Sequence, residues 1–78
     1  MTSLKCSEGK LRIFISKKER VTLDNAKSII QKAFRIMDQN EAKSAVFENE
    51  GIIERSALNL LNDTFFNKPG YSMELKGI

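Results

Sequence analysis

The chain has 78 residues, of which 41% are hydrophobic and 29% charged, and its formal net charge is +3. This composition is typical of one small globular domain and excludes a disordered or fibrous chain. The chain has one cysteine and no histidine, which excludes an internal disulfide and removes the commonest general base and metal ligand. Apolar runs are too short for a membrane span, so we expect a cytoplasmic protein that does not contact a membrane.

The N-terminal segment, residues 1–9, is mostly polar and predicts a flexible terminus. A single α+β domain is therefore expected over residues 10–78. Cys6 in the terminal segment has no base around it, so we expect an exposed thiol without a catalytic role.

Residues 10–16 carry the pattern of a strand. Leu11, Ile13 and Ile15 alternate with polar residues and Phe14. This two-residue period predicts a half-buried strand with the three aliphatic side chains toward the core.

A helix is predicted from near Thr22 to near Asn40. Its apolar residues fall on one stripe with a period of 3.6: Ala26, Ile29, Ile30, Ala33, Phe34 and Met37. Thr22 or Asp24 can cap its start. The preceding run from Ser16 to Glu19 could be a capping box, but Val21 lies off the apolar stripe, which favours a polar loop.

Residues 44–53 contain two short apolar runs separated by Glu48-Asn49-Glu50-Gly51. A polar connection of this length that ends in glycine favours a hairpin. The alternative is a helix over residues 40–49, since several of these residues are tolerable helix formers.

A second helix is predicted with Ser56 as its N-cap and with Ala57, Leu58, Leu61 and Phe65 on its apolar stripe. Lys68-Pro69-Gly70 should end it, because proline disfavours the helical conformation in the preceding residue. Residues 71–76 alternate again and predict a last strand, whose inward side chains are Tyr71, Met73 and Leu75.

The order strand, helix, strand, strand, helix, strand predicts an α+β fold of the ferredoxin-like βαββαβ type, an antiparallel sheet with two helices on one face. A spacing of 31 residues also relates two sets of apolar positions. These are Val21, Ala26, Ile29, Ile30 and Phe34, and then Ile52, Ala57, Leu60, Leu61 and Phe65. A duplicated strand–helix unit or two unrelated amphipathic helices would each produce this spacing.

No residue pattern indicates catalysis. Nucleophilic catalysis needs a base beside Ser or Cys, and no spacing selects one here. Glu48 and Glu50 are expected to be solvated turn charges rather than an acid–base pair. The carboxylates lack calcium-loop spacing and the glycines are scattered, so we expect no enzyme, catalytic residue, cofactor or metal site.

Protein–protein association is the leading functional prediction. The sheet face away from the helices should be open, and an apolar part of it should be covered by a partner. The expected interface residues are Arg12, Phe14, Val46 and Ile52. The chain would then be a homodimer, an accessory subunit of a larger complex, or both.

Two alternatives use other features. A basic dimeric nucleic-acid-binding regulator of the ribbon-helix-helix type would place a strand from each copy in the major groove. The cations available for phosphate contact are Lys10, Arg12, Lys17, Lys18 and Arg20. A small phage- or plasmid-type inhibitor of a host protein is the second alternative.

The residues also suggest a family. The run from Ile13 to Asp24, followed by Ser28, Gln31 and Ala33, resembles the start of the small subunit of bacterial phosphoribosylformylglycinamidine synthase. Residues 60–66 and 71–75 are similar to the end of the second helix and the last strand of that family. The resemblance implies a ferredoxin-like accessory subunit that self-associates and bridges catalytic subunits.

Overall fold

A computed structural model of the protein describes residues 2–77. In chain order its elements are β1 (Ser3–Ser7), β2 (Lys10–Ile15), β3 (Arg20–Val21), α1 (Leu23–Gln39), β4 (Ser44–Asn49), β5 (Ile52–Ile53), α2 (Arg55–Phe66) and β6 (Ser72–Lys76). The protein is a small α+β domain with two helices and a mixed sheet. Met1 and Ile78, which the predicted segments include, lie outside the described residues.

The main sheet has four strands in the order β1-β2-β4-β6. β1 is antiparallel to β2, whereas β2, β4 and β6 run parallel to one another. Parallel neighbours need a crossover connection, and α1 and α2 provide the two crossovers. β3 and β5 form a separate parallel pair.

The N-terminal segment forms a strand, whereas the sequence predicts a flexible terminus over residues 1–9. Leu4 and Cys6 of β1 are half-buried and pack against the core. Glu8 and Gly9 join β1 to β2 and have φ angles of 54° and 75°, as in the two-residue turns that match strand twist. The sequence does not predict this strand for two reasons. Only Leu4 and Cys6 point toward the core, which is too few for a clear alternating pattern, and Glu rarely occupies the first position of such a turn.

The strand and the helix that follow it match their predictions. Leu11, Ile13 and Ile15 of β2 are fully buried. The Thr22 hydroxyl caps α1 by accepting a hydrogen bond from the Asn25 N–H at 3.3 Å. Residues 16–19 form a turn rather than the start of a helix.

The ferredoxin-like part of the fold prediction is not confirmed. β4 and β5 do not form a hairpin, because the chain crosses to β3 after Asn49. There the Ile52 N–H donates to the Glu19 carbonyl at 2.9 Å, and the Glu54 N–H donates to the Val21 carbonyl at 3.0 Å. α2 then returns the chain, so β6 lies parallel to β4, and the main sheet is mostly parallel rather than antiparallel.

The order of elements repeats along the chain. β2, β3 and α1 form one strand–strand–helix unit, here the first unit, and β4, β5 and α2 form the second unit in the same order. β2 pairs with β4 and β3 pairs with β5, both in parallel. The 31-residue spacing fits the helices, where Ala26 and Ala57 are both buried. It does not fit the strands, because Val21 pairs with Ile53 rather than with Ile52.

The core lies between the main sheet and both helices. Side chains from β2 and β4 share one buried cluster with side chains from α1 and α2. The largest fully buried members are Phe47, Leu11, Ile13, Ile15, Met37, Leu61 and Val21. Both helices therefore cover the same sheet face, as predicted, and the other face is open.

Candidate association surfaces

The open face, defined as the sheet side away from both helices, presents every second side chain of each strand. The strand register arranges these side chains in three rows: Ser7–Lys10–Ser44–Ser72, Lys5–Arg12–Val46–Glu74 and Ser3–Phe14–Glu48–Lys76. Most of these residues are charged or polar. The open face is therefore more polar than the sequence predicts.

Three of the four predicted interface residues lie together on the open face. Arg12 donates from Nη1 to Glu48 Oε1 at 3.1 Å, and Phe14 is half-buried beside a shallow cavity of about 240 Å³. Val46 is only 3% exposed, so it has little surface left for a partner. Ile52 lies in β5, paired with Arg20, and is not part of this face.

The cations predicted to contact nucleic acid are spread over the domain. Lys10 begins β2 and Lys17 follows its end, so the length of the strand separates them. The Nη1 atom of Arg20 lies 3.7 Å from Glu54 Oε2, and Arg12 pairs with Glu48. These pairs are exposed, so each contributes little to stability.

The ribbon-helix-helix arrangement would need a free edge on β2. Both edges of β2 are paired within the chain, one with β1 and the other with β4. β2 therefore cannot also form a two-stranded ribbon with β2 of a second copy unless one of these pairings is broken.

A different surface combines exposed apolar side chains with an unpaired strand. We define the β6 edge surface as the free edge of β6 together with Phe66 at the end of α2. Phe66 is 89% exposed. It lines a groove of about 440 Å³ with Phe65, Tyr71 and Met73 on its apolar side.

The main-chain N–H and C=O groups of β6 point alternately toward β4 and away from the sheet. The Ser72 N–H donates to the Lys43 carbonyl at 2.9 Å, toward β4. Since main-chain groups alternate along a strand, those of Glu74 and Lys76 also point toward β4. Those of Met73 and Leu75 point outward, where an added strand could bond to them.

The side chains of Glu74 and Lys76 are exposed on the open face beside this edge. Within residues 2–77 the ion pairs are Arg12–Glu48 and Arg20–Glu54. Glu74 and Lys76 are thus two opposite charges, two residues apart on an edge strand, that have no ion-pair partner in the described chain.

Tyr71 fixes the position where β6 begins. Its hydroxyl donates to Asp38 Oδ1 at 2.6 Å and accepts from Lys43 Nζ at 3.2 Å. Its ring meets that of Phe34 edge-on, with 5.3 Å between centroids, and Lys68 Nζ lies 5.2 Å from its centroid. The contacts connect the ends of both helices to the start of β6, which holds the edge in place beside Phe66.

Phe66, Glu74 and Lys76 were not among the predicted site residues. A signal for Phe66 is present in the pair Phe65-Phe66, since adjacent helical residues point about 100° apart and cannot both face one core. No comparable signal identifies Glu74 and Lys76, because alternation predicts a strand without telling whether it lies at an edge.

The part of the chain that the structure describes contains neither a candidate metal cluster nor a candidate membrane span. Among residues 2–77, no group of three or more His, Cys, Asp or Glu side chains is placed to hold a metal ion. In the same part of the chain, neither helix combines the length and the apolar character needed to cross a membrane.

Comparison of the chain with models of known protein families, with curated proteins and with solved structures found no match. The relationship to the small subunit of phosphoribosylformylglycinamidine synthase therefore stays a prediction from the residues.

Proposed function

We propose that the protein is a non-catalytic association module that binds another polypeptide through the β6 edge surface. The observation that carries this proposal is the 89% exposure of Phe66 beside an unpaired strand. Scattered exposed apolar residues are ordinary, but an apolar patch that adjoins a free strand edge is typical of an interaction site.

The two parts of the surface would contribute differently to binding. Full burial of the Phe66 side chain against a partner would stabilise a complex by about 1.5–3 kcal/mol, and buried aromatic residues often dominate interfaces. The outward main-chain groups of Met73 and Leu75 would pair with an extended strand of the partner, which gives affinity and fixes orientation.

The open face is a second contact region in this proposal. Arg12 and the half-buried Phe14 are accessible there, next to β1, while the β6 edge surface lies at the other side of the sheet. A chain with two such regions could serve as an accessory subunit that contacts two neighbours in a larger complex.

Site-specific photocrosslinking tests the proposal. Phe66 is replaced by p-benzoylphenylalanine in the organism that encodes the chain, and Ile52, which is 56% exposed on another surface, is replaced in a control. We expect one product of discrete mass from position 66, with a partner identified by its peptides, and no such product from position 52.

The outcome at position 66 decides the proposal. A product of twice the chain mass would identify a second copy as the partner, and a product with a different polypeptide would identify a heterologous one. Irradiation that gives only the uncrosslinked chain, or the same diffuse products from both positions, would contradict association through this surface.

A further inference from the structure

We infer that the partner at the β6 edge surface is a second copy of this chain, which joins by antiparallel pairing of β6 with β6 about a twofold axis at Leu75. The inference rests on the proposed function, because it uses the same edge. The two main sheets would then form one continuous sheet of eight strands.

The main chain limits the registers that this pairing can adopt. The main-chain N–H and C=O groups that point away from β4 belong to odd-numbered residues, including Met73 and Leu75. In a dimer these groups must bond to the equivalent groups of the second copy, so odd-numbered residues must pair with odd-numbered residues. Five twofold registers satisfy this rule within β6, with the axis at any one residue from Ser72 to Lys76.

The charges on the open face select one of these registers. An axis at Ser72 or at Met73 places Glu74 opposite an uncharged residue, Gly70 or Ser72. An axis at Glu74 places Glu74 opposite its own copy, and an axis at Lys76 places two lysines opposite each other. An axis at Leu75 places Glu74 opposite Lys76 twice. Opposite charges on directly paired residues stabilise a sheet, and like charges destabilise it, so the self-complementary register is the one about Leu75.

The core side of the edge is compatible with the same register. Leu75 and Met73 are half-buried and pack against the core cluster. An axis at Leu75 brings the two Leu75 side chains together and sets Met73 opposite Gly77, which has no side chain to clash. Leu75 would bond to its own copy through both main-chain groups, and the Gly77 N–H would donate to the Met73 carbonyl of the other copy.

The opposite edge of the sheet lacks this complementarity. β1 has the sequence Ser-Leu-Lys-Cys-Ser, so its one charged residue is Lys5. Pairing of β1 with β1 would offer Lys5 no carboxylate in any register. The charges therefore favour β6 over β1 as the edge at which two copies meet.

Charge reversal and re-pairing test the inference. Sedimentation equilibrium of the full chain measures the dimer dissociation constant for the wild type, Glu74→Lys, Lys76→Glu and the double variant. Each single change replaces two attractive pairs by two repulsive ones, so we expect it to weaken the dimer by roughly tenfold or more. The double variant restores opposite pairs and should return to within about threefold of the wild type.

Matched controls carry the same charge changes elsewhere. Glu8→Lys, in the turn between β1 and β2, and Lys32→Glu, on α1, alter exposed residues away from β6 and should leave the dissociation constant within about threefold of the wild type. Circular dichroism confirms that every variant is folded. Hydrogen exchange of the unmodified protein gives a second measurement: the Leu75 amide should exchange slowly at high protein concentration and faster on dilution.

Each contrary result has its own meaning. Equal dissociation constants for the single variants and the wild type, or a double variant as weak as the single ones, would overturn the register. A monomer at several hundred micromolar, with a freely exchanging Leu75 amide, would overturn self-pairing. If photocrosslinking at position 66 then identifies a different polypeptide, association through the β6 edge surface is supported and only the pairing of two copies is contradicted. If photocrosslinking gives no product, both the proposed function and the pairing of two copies are contradicted.

Discussion

The first and second units have the same order of elements, but they differ in how much each one buries. α1 has 17 residues and buries Ala26, Ile29, Ile30, Ala33 and Met37, whereas α2 has 12 residues and buries Ala57, Leu61 and Phe65. α2 then ends at the exposed Phe66. The second unit therefore depends on fewer buried side chains, and the end of its helix remains available as a surface.

The units also differ in the link between their two strands. Residues 16–19 connect β2 to β3, and only residues 50–51 connect β4 to β5. Asn49, which is 7% exposed, stabilises the shorter link through two hydrogen bonds to Gly51. Its side-chain amide accepts a hydrogen bond from the Gly51 N–H at 3.1 Å and donates one to the Gly51 carbonyl at 3.2 Å. The shorter link passes directly against the longer link of the first unit.

The largest expected effect comes from equivalent core positions in the two helices, Ile30 and Leu61. Leu61 is fully buried and Ile30 is 9% exposed. We expect Leu61→Ala to lower the free energy of unfolding by about 3–4 kcal/mol and Ile30→Ala by about 2–3 kcal/mol, from lost burial and the cavity left behind. Urea denaturation followed by circular dichroism measures both values.

A larger loss at Ile30 than at Leu61 would contradict the idea that the second unit depends on fewer buried contacts. The exposed residue Lys32 provides a control on the same helix as Ile30. Lys32→Ala should change the free energy of unfolding by no more than about 0.5 kcal/mol.

A somewhat smaller effect is expected from Gly51, where the two links meet. A Cβ at this position would collide with the main-chain oxygens of Glu19 and Ser16, and main chain cannot move aside as a flexible side chain can. Gly51→Ala should therefore cost about 2–3 kcal/mol of the free energy of unfolding.

Gly9 is the matched control for this substitution. A Cβ at Gly9 has nothing within 4 Å, although its φ of 75° disfavours alanine, so Gly9→Ala should cost only about 1 kcal/mol. If thermal or urea unfolding gives equal losses for the two alanine variants, close approach of the links is not what requires glycine at position 51.

The smallest expected effects on stability come from substitutions of the N-cap residues of the two helices. Thr22 caps α1 through its hydroxyl, whereas Glu54 precedes α2 without a side-chain cap bond. Thr22→Ala should lower the free energy of unfolding by about 1 kcal/mol. Glu54→Asp keeps the charge beside Arg20, shortens the side chain to a favoured cap and should add about 0.5 kcal/mol.

The same urea titration measures both cap variants. Glu54→Gln, which removes the charge without supplying a favoured cap, is the control for the second one. A loss of stability in Glu54→Asp would indicate that the contact with Arg20, and not the missing cap, determines the start of α2.

Sequence periodicity predicted the elements that have a strong local pattern. β2, both helices and β6 were found because their apolar residues repeat every two residues or fall on one helical stripe. The partner of each strand depends on residues far apart in the chain, which no local pattern encodes. For this reason the local pattern predicts a hairpin of the short run Ile52–Ile53 with β4, although the run pairs with β3.

The candidate site could be predicted only in part for the same reason. Sequence pattern predicts Arg12, Phe14 and Val46 on the open face, where the strand register places them, whereas Ile52 lies in the separate β3–β5 pair. The low exposure of Val46 could not be predicted, because it requires knowing that β4 lies between β2 and β6 in the sheet. The β6 edge could not be identified without the order of all four strands.

The turn at Glu8-Gly9 has a consequence for how quickly the domain folds. This turn joins β1 to β2, the one pair of adjacent strands in the main sheet that is also consecutive in the chain. The pairing of β2 with β4 requires the chain to pass through α1 first, and the pairing of β4 with β6 requires it to pass through α2. A hairpin forms in about 1–10 μs, but two strands alone are only marginally stable. The rate-limiting step should therefore be the first parallel pairing, and substitutions at the turn should alter the unfolding rate more than the folding rate.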